Sequence, residues 1–567
     1  MKLREEGYRA VTQVKGLSPE IFIVSEVETV QNGADRSPVA EKGQGNRNPT
    51  GSKTTSEITK GTDMNSGEPK YSRKGENAST SNKMQGEAKD ILAVGLTRST
   101  EEVQETAQRE GVSRQAMGFE GTPAIARDGE WVETKLELIT RRAKDEPKRK
   151  FTTLAYLLNE GHLEQCYGLL KKDKASGIDG VTVEEYGANL KENLKDLVSR
   201  MKALHYYPQT VRRVYIPKGG GKLRGLGIPT VEDKIVQMGI KRILEAIYEG
   251  DFSDSSYGFR PKRSCHDALN ELDKTIMTRP INAVAEVDIE KFFDTVDHKW
   301  MMECLKQRIN DPRFLRLIVR FLKAGIIEEG KYKETDKGTP QGGVLSPMLA
   351  NIYLHYILDL WFEKVVKRQL KGYMRQIRYA DDFVVCFAEK ESAMKFMEML
   401  KERFAKFGLK VSEEKSRVIE FGRKVWERER AEGGRGATFD FLGFTHFGDS
   451  TRRGKFKVGR RTSRKKYIQK MKEMNIWLKK IRNFVKLEEW LKILRLKLTG
   501  HYRYYGVSGN SRMIYRFYKE SSILTFKWIN RRSQKRSYTY AQFHKYLGHT
   551  LPKPKIYHNL YTLAPCV

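Results

Sequence analysis

The sequence contains few cysteines and no long apolar segment. Five cysteines in 567 residues stand singly, and no two of them form a C-x-x-C pair. This spacing argues against both a disulfide framework and a cysteine-ligated zinc site. No stretch approaches the roughly 18 apolar residues of a membrane span, and the first thirty residues mix charges of both signs instead of forming an apolar signal core. We therefore expect a soluble cytoplasmic protein with no membrane contact.

Acidic residues are scarce relative to basic residues, and the imbalance is local. The chain carries 105 Lys and Arg against 72 Asp and Glu, a formal net charge of +33. Residues 1–130 hold 18 basic and 20 acidic residues, whereas residues 451–567 hold 30 basic and only 4 acidic residues. A surplus this one-sided repels itself unless a polyanion neutralises it, so nucleic acid is the expected partner of the C-terminal part.

The two ends of the chain also differ in apolar content. Residues 31–89 are rich in Gly, Ser, Thr, Asn, Lys and Glu and contain few large apolar side chains. Such a segment cannot bury enough surface to offset the entropy cost of ordering, and we predict a mostly disordered extension over residues 1–130. Near the other end, apolar residues recur every three or four positions over 468–484 and 487–498, which predicts helices with one buried face.

The basic residues around these helices are expected on the opposite, outer face. This set comprises Arg460, Arg461, Arg464, Lys465 and Lys466. A run of charge is usually a solvated surface, but the local excess of positive charge favours phosphate binding.

Two acidic sites follow short apolar runs in the middle of the chain. An apolar run over 283–287 ends at Asp288, which suits the end of a strand. Two β-prone runs flank Asp381 and Asp382, which predicts a hairpin with both carboxylates at its tip. Asp is common in turns, and a Y-x-D-D tetrapeptide is expected by chance in roughly 5% of chains this long.

The chemistry that could use these carboxylates is phosphoryl transfer with two divalent metals. One metal would lower the pKa of the attacking hydroxyl, and the other would gather the triphosphate and leaving group. Magnesium prefers carboxylate oxygens, so two or three carboxylates on neighbouring strands are a minimal holder. Asp288, Asp381 and Asp382 meet that requirement if their strands are adjacent.

Seven ordered motifs extend this interpretation. They are IDGV (178–181), LRGLGIP (223–229), YGFRP (257–261), DIEKFFD (288–294), GTPQGG with LSP (338–347), YADD (379–382) and FLG (441–443). The series resembles the group II intron-encoded reverse transcriptases over roughly residue 133 to the C-terminus. The resemblance implies an α+β right-hand polymerase, with fingers and an antiparallel palm sheet over 131–450. A helical thumb and maturase domain would cover 451–506, and a basic DNA-binding region would cover 507–567.

The resemblance also assigns roles to individual residues. Asp288, Asp381 and Asp382 fall on the family's metal-binding triad, with the Ile289 carbonyl as a further ligand of two Mg²⁺ ions. Phe293 falls where a bulky side chain excludes the 2′ hydroxyl and selects deoxynucleotides, although a core aromatic is the alternative.

Further positions match nucleotide-binding residues of the family. Lys218 and Arg224, on either side of a glycine turn, would clamp the incoming phosphates, with a solvated loop as the alternative. Gln341 resembles the residue that lies against the nucleotide sugar. Lys415 matches a lysine that protonates pyrophosphate; a surface lysine paired with Glu413 or Glu414 is the alternative.

The resemblance places RNA contacts at both ends of this region. FTTLAYLL (151–158) is similar to an amino-terminal extension that touches template and intron RNA, and FLG (441–443) to a turn that supports the primer end. LTGHYRYYG (498–506) and WINRR (528–532) resemble the maturase region that holds the intron. RNA contacts are therefore expected from Tyr502, Arg503, Arg531 and Arg532, since arginines bind phosphates and aromatic rings stack on unpaired bases.

Many relatives continue into a nuclease module with paired cysteines. Here His544, His549 and His558 stand with only Cys566, so we expect no endonuclease, and the histidines should pack or contact phosphate. The sequence thus predicts a polymerase that copies intron RNA into DNA from a DNA primer at a target DNA, supports retrohoming and assists splicing; a homodimer is left open. The alternatives are a reverse transcriptase recruited to phage defence or a CRISPR-associated system, and a non-catalytic RNA-binding splicing factor.

Overall fold

The computed structural model describes residues 123–172, 174–219, 222–328, 331–339, 342–434, 436–532 and 537–561. The extension predicted over residues 1–130 lies outside the described residues as far as residue 122. The last residues of this extension belong to a helix that begins at Pro123, and the domain boundary at 131 stays a prediction. That helix continues to Asp145 and buries Val132, Leu136 and Ala143, which explains why this segment is helical.

Helices make up most of the described chain. They are α1 (Pro123–Asp145), α2 (Glu160–Gly168), α3 (Val183–Ala188), α4 (Leu190–Lys202), α5 (Val231–Tyr248), α6 (Cys265–Thr278), α7 (Phe292–Thr295), α8 (His298–Lys306), α9 (Pro312–Leu322), α10 (Ser346–Leu354), α11 (Lys367–Gln369), α12 (Lys390–Lys406), α13 (Arg423–Ala431), α14 (Arg464–Ile481), α15 (Leu487–Tyr505), α16 (Ser511–Ile529) and α17 (Tyr540–Tyr546). Two π-helical turns, His355–Asp359 and Phe362–Val366, follow α10, and 3₁₀ turns cover Ala155–Leu157 and Gly548–Thr550. Among the described residues, none of the helices has the length and apolar character needed to cross a membrane.

Within the part of the chain that the structure describes, the strands form three sheets that are mainly antiparallel. They are β1 (Val211–Gly219), β2 (Lys222–Ile228), β3 (Ala283–Asp288), β4 (Ile326–Glu328), β5 (Lys331–Lys333), β6 (Met374–Tyr379), β7 (Asp382–Phe387), β8 (Arg417–Glu420), β9 (Phe439–Phe441), β10 (Phe444–Ser450) and β11 (Phe456–Thr462). The sheet orders are β2-β1-β4-β5, β6-β7-β3-β8 and β11-β10-β9, and among these strand pairs of the described residues only β1–β4 is parallel. The predicted mixture of helices with antiparallel sheets is confirmed.

The sheet β6-β7-β3-β8 is the central layer. Helix α12 packs against β3, β7 and β8, and helix α6 packs against β6 and β11. Residues 383–387 of β7 are all buried, as expected for a strand rich in Phe and Val that is covered on both faces. This packing fixes β3 and β7 side by side, and their polar ends form one edge of the layer.

From Arg464 onward, helices α14 to α17 and one 3₁₀ turn are the regular elements of the described residues. The predicted stripe over 487–498 is confirmed, because Trp490, Leu494 and Leu498 of α15 are buried. The stripe over 468–484 is only partly right: Met474 and Ile481 are buried, whereas the other predicted positions are exposed or half-buried. Residues 456–462, predicted to belong to a helical domain, instead form β11, paired with β10.

Candidate active site

The hairpin β6–β7 carries the acidic pair. Tyr379 pairs with Asp382 across the hairpin, so the turn consists of Ala380 and Asp381 alone. Ala380 has a φ of +57°, and two-residue hairpin turns need positive φ at the first central position, which usually selects glycine. A non-glycine residue in this conformation is strained by about 1–2 kcal/mol and needs support from its surroundings. The predicted hairpin is confirmed with Asp381 in its turn, whereas Asp382 is the first residue of β7.

The second acidic site lies directly beside this hairpin. Asp288 ends β3 and is the register partner of Asp382 on β7. Asp288 is half-buried, Asp381 is half-buried and Asp382 is exposed, so the carboxylates lie at the solvent edge of the central sheet. The condition that their strands be neighbours is therefore met.

The donor chemistry at this edge suits a hard cation. Asp288 Oδ2 already accepts a hydrogen bond from the Lys415 ammonium group at 2.7 Å, so a cationic group stands against this carboxylate. Within the described residues, no group of three or more His, Cys, Asp or Glu side chains is arranged to hold a metal ion. The chain thus offers the right oxygen donors on adjacent strand ends without a preformed three-carboxylate cage.

Lys415 lies in a loop that wraps around the end of β3. Ser412 N donates to the Asp288 carbonyl at 2.8 Å, and the Asp288 N–H donates to Ser416 Oγ at 3.0 Å. Lys415 does not pair with Glu413 or Glu414 as the alternative prediction held; Glu413 is 3.4 Å from Lys401 instead. The loop geometry therefore delivers the ammonium group to the candidate metal site.

Phe293 lies close to this edge in the short helix α7. Its ring is half-buried and meets the Phe292 ring edge-on at 5.3 Å between centroids. Phe292 is 2% exposed and takes the core position. The partly exposed ring of Phe293 is compatible with the predicted role beside the nucleotide sugar, and that role stays a prediction.

The predicted phosphate clamp lies on another hairpin. Strands β1 and β2 are antiparallel, and Ile216 pairs with half-buried Arg224, while Lys218 lies in β1 one residue before its end. The hairpin is confirmed, and the clamp stays a prediction. Gln341 lies outside the described residues.

Gly342, the residue after Gln341 in the sequence, lies close to β2. Gly342 has a φ of +108°, and a Cβ there would approach the Gly227 carbonyl oxygen to 2.5 Å, so glycine is required.

Most of the predicted RNA-contacting cations are on the surface. The exposed ones are Arg461, Arg464, Lys465, Arg503, Arg531 and Arg532. Lys466 is half-buried.

Two members of the predicted RNA-contacting set are wrong. Arg460 is 1% exposed and forms an ion pair with Asp273 of α6, because alternation along β11 turns Arg460 inward and Arg461 outward. Tyr502 is also 1% exposed and lies on the buried face of α15.

Two further segments named in the sequence analysis make contacts within the described residues, and the primer-supporting role of the FLG turn stays a prediction. The FLG segment is a two-residue hairpin turn in which Leu442 and Gly443 both have positive φ, and Tyr504 Oη donates to the Leu442 carbonyl at 3.0 Å. His558 stacks on His266 at 3.5 Å between ring centroids, which supports the packing interpretation for this histidine.

The sequence interpretation missed Arg378 of β6. Its side chain is fully buried and donates to Asp359, Asn351 and the Ala380 carbonyl. The available signal was an arginine inside a β-prone run that leads into the acidic turn, since an arginine in a buried strand requires dedicated partners.

Comparison with known proteins places this edge in a recognised domain. Residues 216–446 match the family model "Reverse transcriptase (RNA-dependent DNA polymerase)". That range contains both acidic sites, Phe293 and the β1–β2 hairpin from residue 216 onward.

Individual relatives point the same way. The chain is 42% identical over 224 residues to the group II intron-encoded protein LtrA of Lactococcus lactis subsp. cremoris, covering 39% of this chain and 37% of that protein. It is 40% identical over 238 residues to protein YkfC of Escherichia coli K12, which covers 37% of this chain and 62% of YkfC. A shorter match is to the mitochondrial nuclear intron maturase 1 of Arabidopsis thaliana, with 32% identity over 97 residues. It covers 17% of this chain and 13% of that protein. Residues 216–446 are therefore a reverse transcriptase domain, and the chain is a relative of the group II intron-encoded proteins and intron maturases.

Proposed function

We propose that this protein is an RNA-directed DNA polymerase that copies group II intron RNA into DNA and assists splicing of that intron. The observation that carries the proposal is the register of Asp288 opposite Asp382, with Asp381 in the adjoining turn, inside the matched reverse transcriptase domain. The right-hand architecture belongs to the proposal, with fingers and palm up to about residue 450, a helical thumb, and a basic DNA-binding region at the C-terminus.

The carboxylate edge would hold two magnesium ions. Asp288, Asp381 and Asp382 would supply side-chain oxygens, and Ile289 its carbonyl. When bound, the ions lower the pKa of the primer 3′ hydroxyl and gather the triphosphate. The 3′ hydroxyl would lose its proton to solvent, and its oxygen would form the new bond to the α-phosphorus as the bond to pyrophosphate breaks.

The other residues of the chain would bind and orient the nucleotide. Lys218 and Arg224 would hold its phosphates through charge-assisted hydrogen bonds, and Gln341 would lie against the sugar. Phe293 would fill the space of a 2′ hydroxyl. The Lys415 ammonium group, 2.7 Å from Asp288 Oδ2, would donate its proton to the departing pyrophosphate.

The splicing role depends on the basic C-terminal region. Residues 451–567 carry 30 basic and 4 acidic residues, and the arginines and lysines of the exposed set face solvent. Such a surface lowers the electrostatic cost of compacting a folded RNA whose own chemistry performs the cleavage. Target DNA and the RNA template with its DNA primer are the further proposed partners.

Primer extension by the purified full chain tests the polymerase. The wild type should extend a DNA primer on an RNA template with deoxynucleotides and Mg²⁺, and Asp381→Ala with Asp382→Ala should reduce extension at least about 1,000-fold. The metal contributes several kcal/mol of transition-state stabilisation, and about 1.4 kcal/mol corresponds to a factor of ten.

The controls separate catalysis from RNA binding. Asp196→Ala removes a carboxylate that is 65% exposed and paired with Arg200 on a helix surface, and it should leave extension unchanged. The double variant should still bind intron RNA with wild-type affinity. Extension retained by the double variant would refute the site. Absence of extension from a folded wild type that binds RNA would favour the non-catalytic splicing factor.

A further inference from the structure

A buried charge cluster lies directly behind the acidic turn. Arg378 Nε and Nη2 donate to Asp359 Oδ1 and Oδ2 at 2.9 and 2.5 Å, a bidentate pair in which both side chains are 0% exposed. The remaining nitrogen, Nη1, donates to Asn351 Oδ1 at 3.1 Å and to the Ala380 carbonyl at 3.0 Å. One guanidinium group therefore joins a helical segment to the turn between β6 and β7.

The hydrogen bond from Arg378 to the Ala380 carbonyl connects the buried cluster to the acidic turn. Ala380 has a φ of +57° and directly precedes Asp381, so its carbonyl orientation sets the path of the turn. A hydrogen bond from a buried cationic group to a backbone carbonyl contributes about 1.5–3 kcal/mol, which is enough to offset the strain of a left-handed alanine.

The partners of Arg378 are themselves fixed. Asp359 also accepts a hydrogen bond from Gln376 Nε2 at 2.6 Å, and it ends a π-helical turn, a widened geometry that re-aims the residue relative to an α-helix. Asn351 Nδ2 donates to the Gly258 carbonyl at 2.7 Å. The guanidinium is thus anchored from two sides.

A purely stabilising role does not require these residues. A buried ion pair is often no better for stability than apolar side chains of similar volume, because both charges must leave water. Apolar residues could fill the same space, but they could not hold the Ala380 carbonyl. Placement matters at this edge, since a displacement of about 1 Å in a catalytic group costs on the order of 100-fold in rate.

We propose that Arg378 is a positioning residue for polymerisation: held by Asp359 and Asn351, it fixes the Ala380–Asp381 turn and with it the carboxylates of Asp381 and Asp382. This inference rests on the proposed function of the carboxylate edge. Arg378 acts through the turn and touches neither nucleotide nor metal.

The test compares Arg378→Lys with a matched control, Arg308→Lys, in the full chain. Arg308 is also buried and donates to Asp251 at 3.1 Å and to the Ala143 carbonyl at 2.9 Å, in a different part of the fold. Lysine keeps the positive charge in both variants. Its single ammonium group cannot donate to both carboxylate oxygens and to a backbone carbonyl at the same time. If Arg378→Lys does not fold, the double variant Arg378→Gln with Asp359→Asn takes its place. It removes both charges and therefore leaves no unpaired charge in the core.

Four measurements are made on each variant: thermal unfolding, hydrogen exchange of amides in residues 374–387, Mn²⁺ binding by electron paramagnetic resonance, and primer extension. The Asp381/Asp382 double alanine variant gives the Mn²⁺ background. Loss of the Arg378 contact should speed hairpin exchange at least about tenfold, weaken site-specific Mn²⁺ binding about tenfold and slow extension about 10- to 100-fold. The expected changes in exchange and Mn²⁺ binding correspond to the loss of one charge-assisted hydrogen bond, and the expected slowing of extension corresponds to a shift of the carboxylates by up to about 1 Å. Arg308→Lys should lower thermal stability while leaving hairpin exchange and Mn²⁺ binding at wild-type values.

Wild-type hairpin exchange and Mn²⁺ binding in the Arg378 variants would overturn the proposal, as would equal changes in Arg308→Lys. A wild-type chain that extends no primer would overturn the proposed function instead. In that case faster hairpin exchange in the Arg378 variants would still support the positioning role, and unchanged exchange would still refute it.

Discussion

Gly258 offers a direct way to displace the acidic turn without touching a charged residue. A Cβ added at Gly258 would lie 2.4 Å from the Ala380 nitrogen and 2.9 Å from the Tyr379 carbonyl carbon. Both atoms are backbone, so no side chain can swing aside. Gly258→Ala must therefore push the turn by roughly 1 Å to restore an ordinary contact of about 3.4 Å.

The size of the effect follows from this displacement. Overpacking of this kind costs about 1–3 kcal/mol of unfolding free energy. A 1 Å shift of catalytic groups costs on the order of 100-fold in rate, or about 2.7 kcal/mol of transition-state stabilisation. We expect single-turnover primer extension by Gly258→Ala to slow about 100-fold while the protein stays folded at 25 °C.

The control is Gly250→Ala, whose added Cβ meets nothing within 4 Å. It should extend primers at the wild-type rate and should unfold within about 1 °C of the wild-type temperature, because it adds no steric conflict. Wild-type extension by a folded Gly258→Ala protein would refute the reasoning, since the turn would then tolerate displacement. Equal slowing by Gly250→Ala would also refute it.

Three further predictions concern stability, specificity and binding. Burial is the larger cause, and the positive charge of Arg460 the second, that lowers the pKa of His446 to about 3. Below about pH 6.5 the unfolded chain binds a proton at this histidine and the folded chain does not, so the free energy of unfolding decreases as the pH is lowered. His446→Phe should remove about 2 kcal/mol of the stability loss between pH 7.5 and 5 in urea unfolding, whereas parallel pH profiles would contradict this. Phe293→Ala should raise ribonucleotide incorporation at least about tenfold, with unchanged selectivity pointing to a core aromatic. Intron RNA affinity should fall with a slope of log K against log salt steeper than about −3, and a flat response would exclude phosphate binding by the basic surface.

Local patterns were enough to predict several elements. The β6–β7 hairpin follows from β-prone runs on either side of an acidic pair. The buried face of α15 follows from the spacing of Trp490, Leu494 and Leu498. These features depend on neighbours within a few residues, so the sequence itself contains the information.

Other predictions failed where two periodicities compete. Arg460 and Arg461 were both expected on the outer face of the helical region, but residues 456–462 pair with β10 as a strand. The two-residue period of a strand buries Arg460 and exposes Arg461. Tyr502 carries an aromatic ring of the kind that stacks on unpaired bases, yet its position on α15 faces the core. Residue spacing alone could not show whether these side chains are buried or exposed, because the surfaces that cover them come from distant segments of the chain.

The amino-acid sequence by itself determined the chemistry of this protein: the carboxylates, the basic C-terminal surface and the order of motifs that resembles reverse transcriptases. Only the tertiary structure decided which groups meet. Asp288 faces Asp382 because β3 and β7 pair across a long stretch of chain, and Lys415 reaches Asp288 because a later loop wraps around the end of β3. Arg378 acquires its partners from a helix and a π-helical turn that precede it. Such contacts depend on packing between distant segments, which no local pattern encodes.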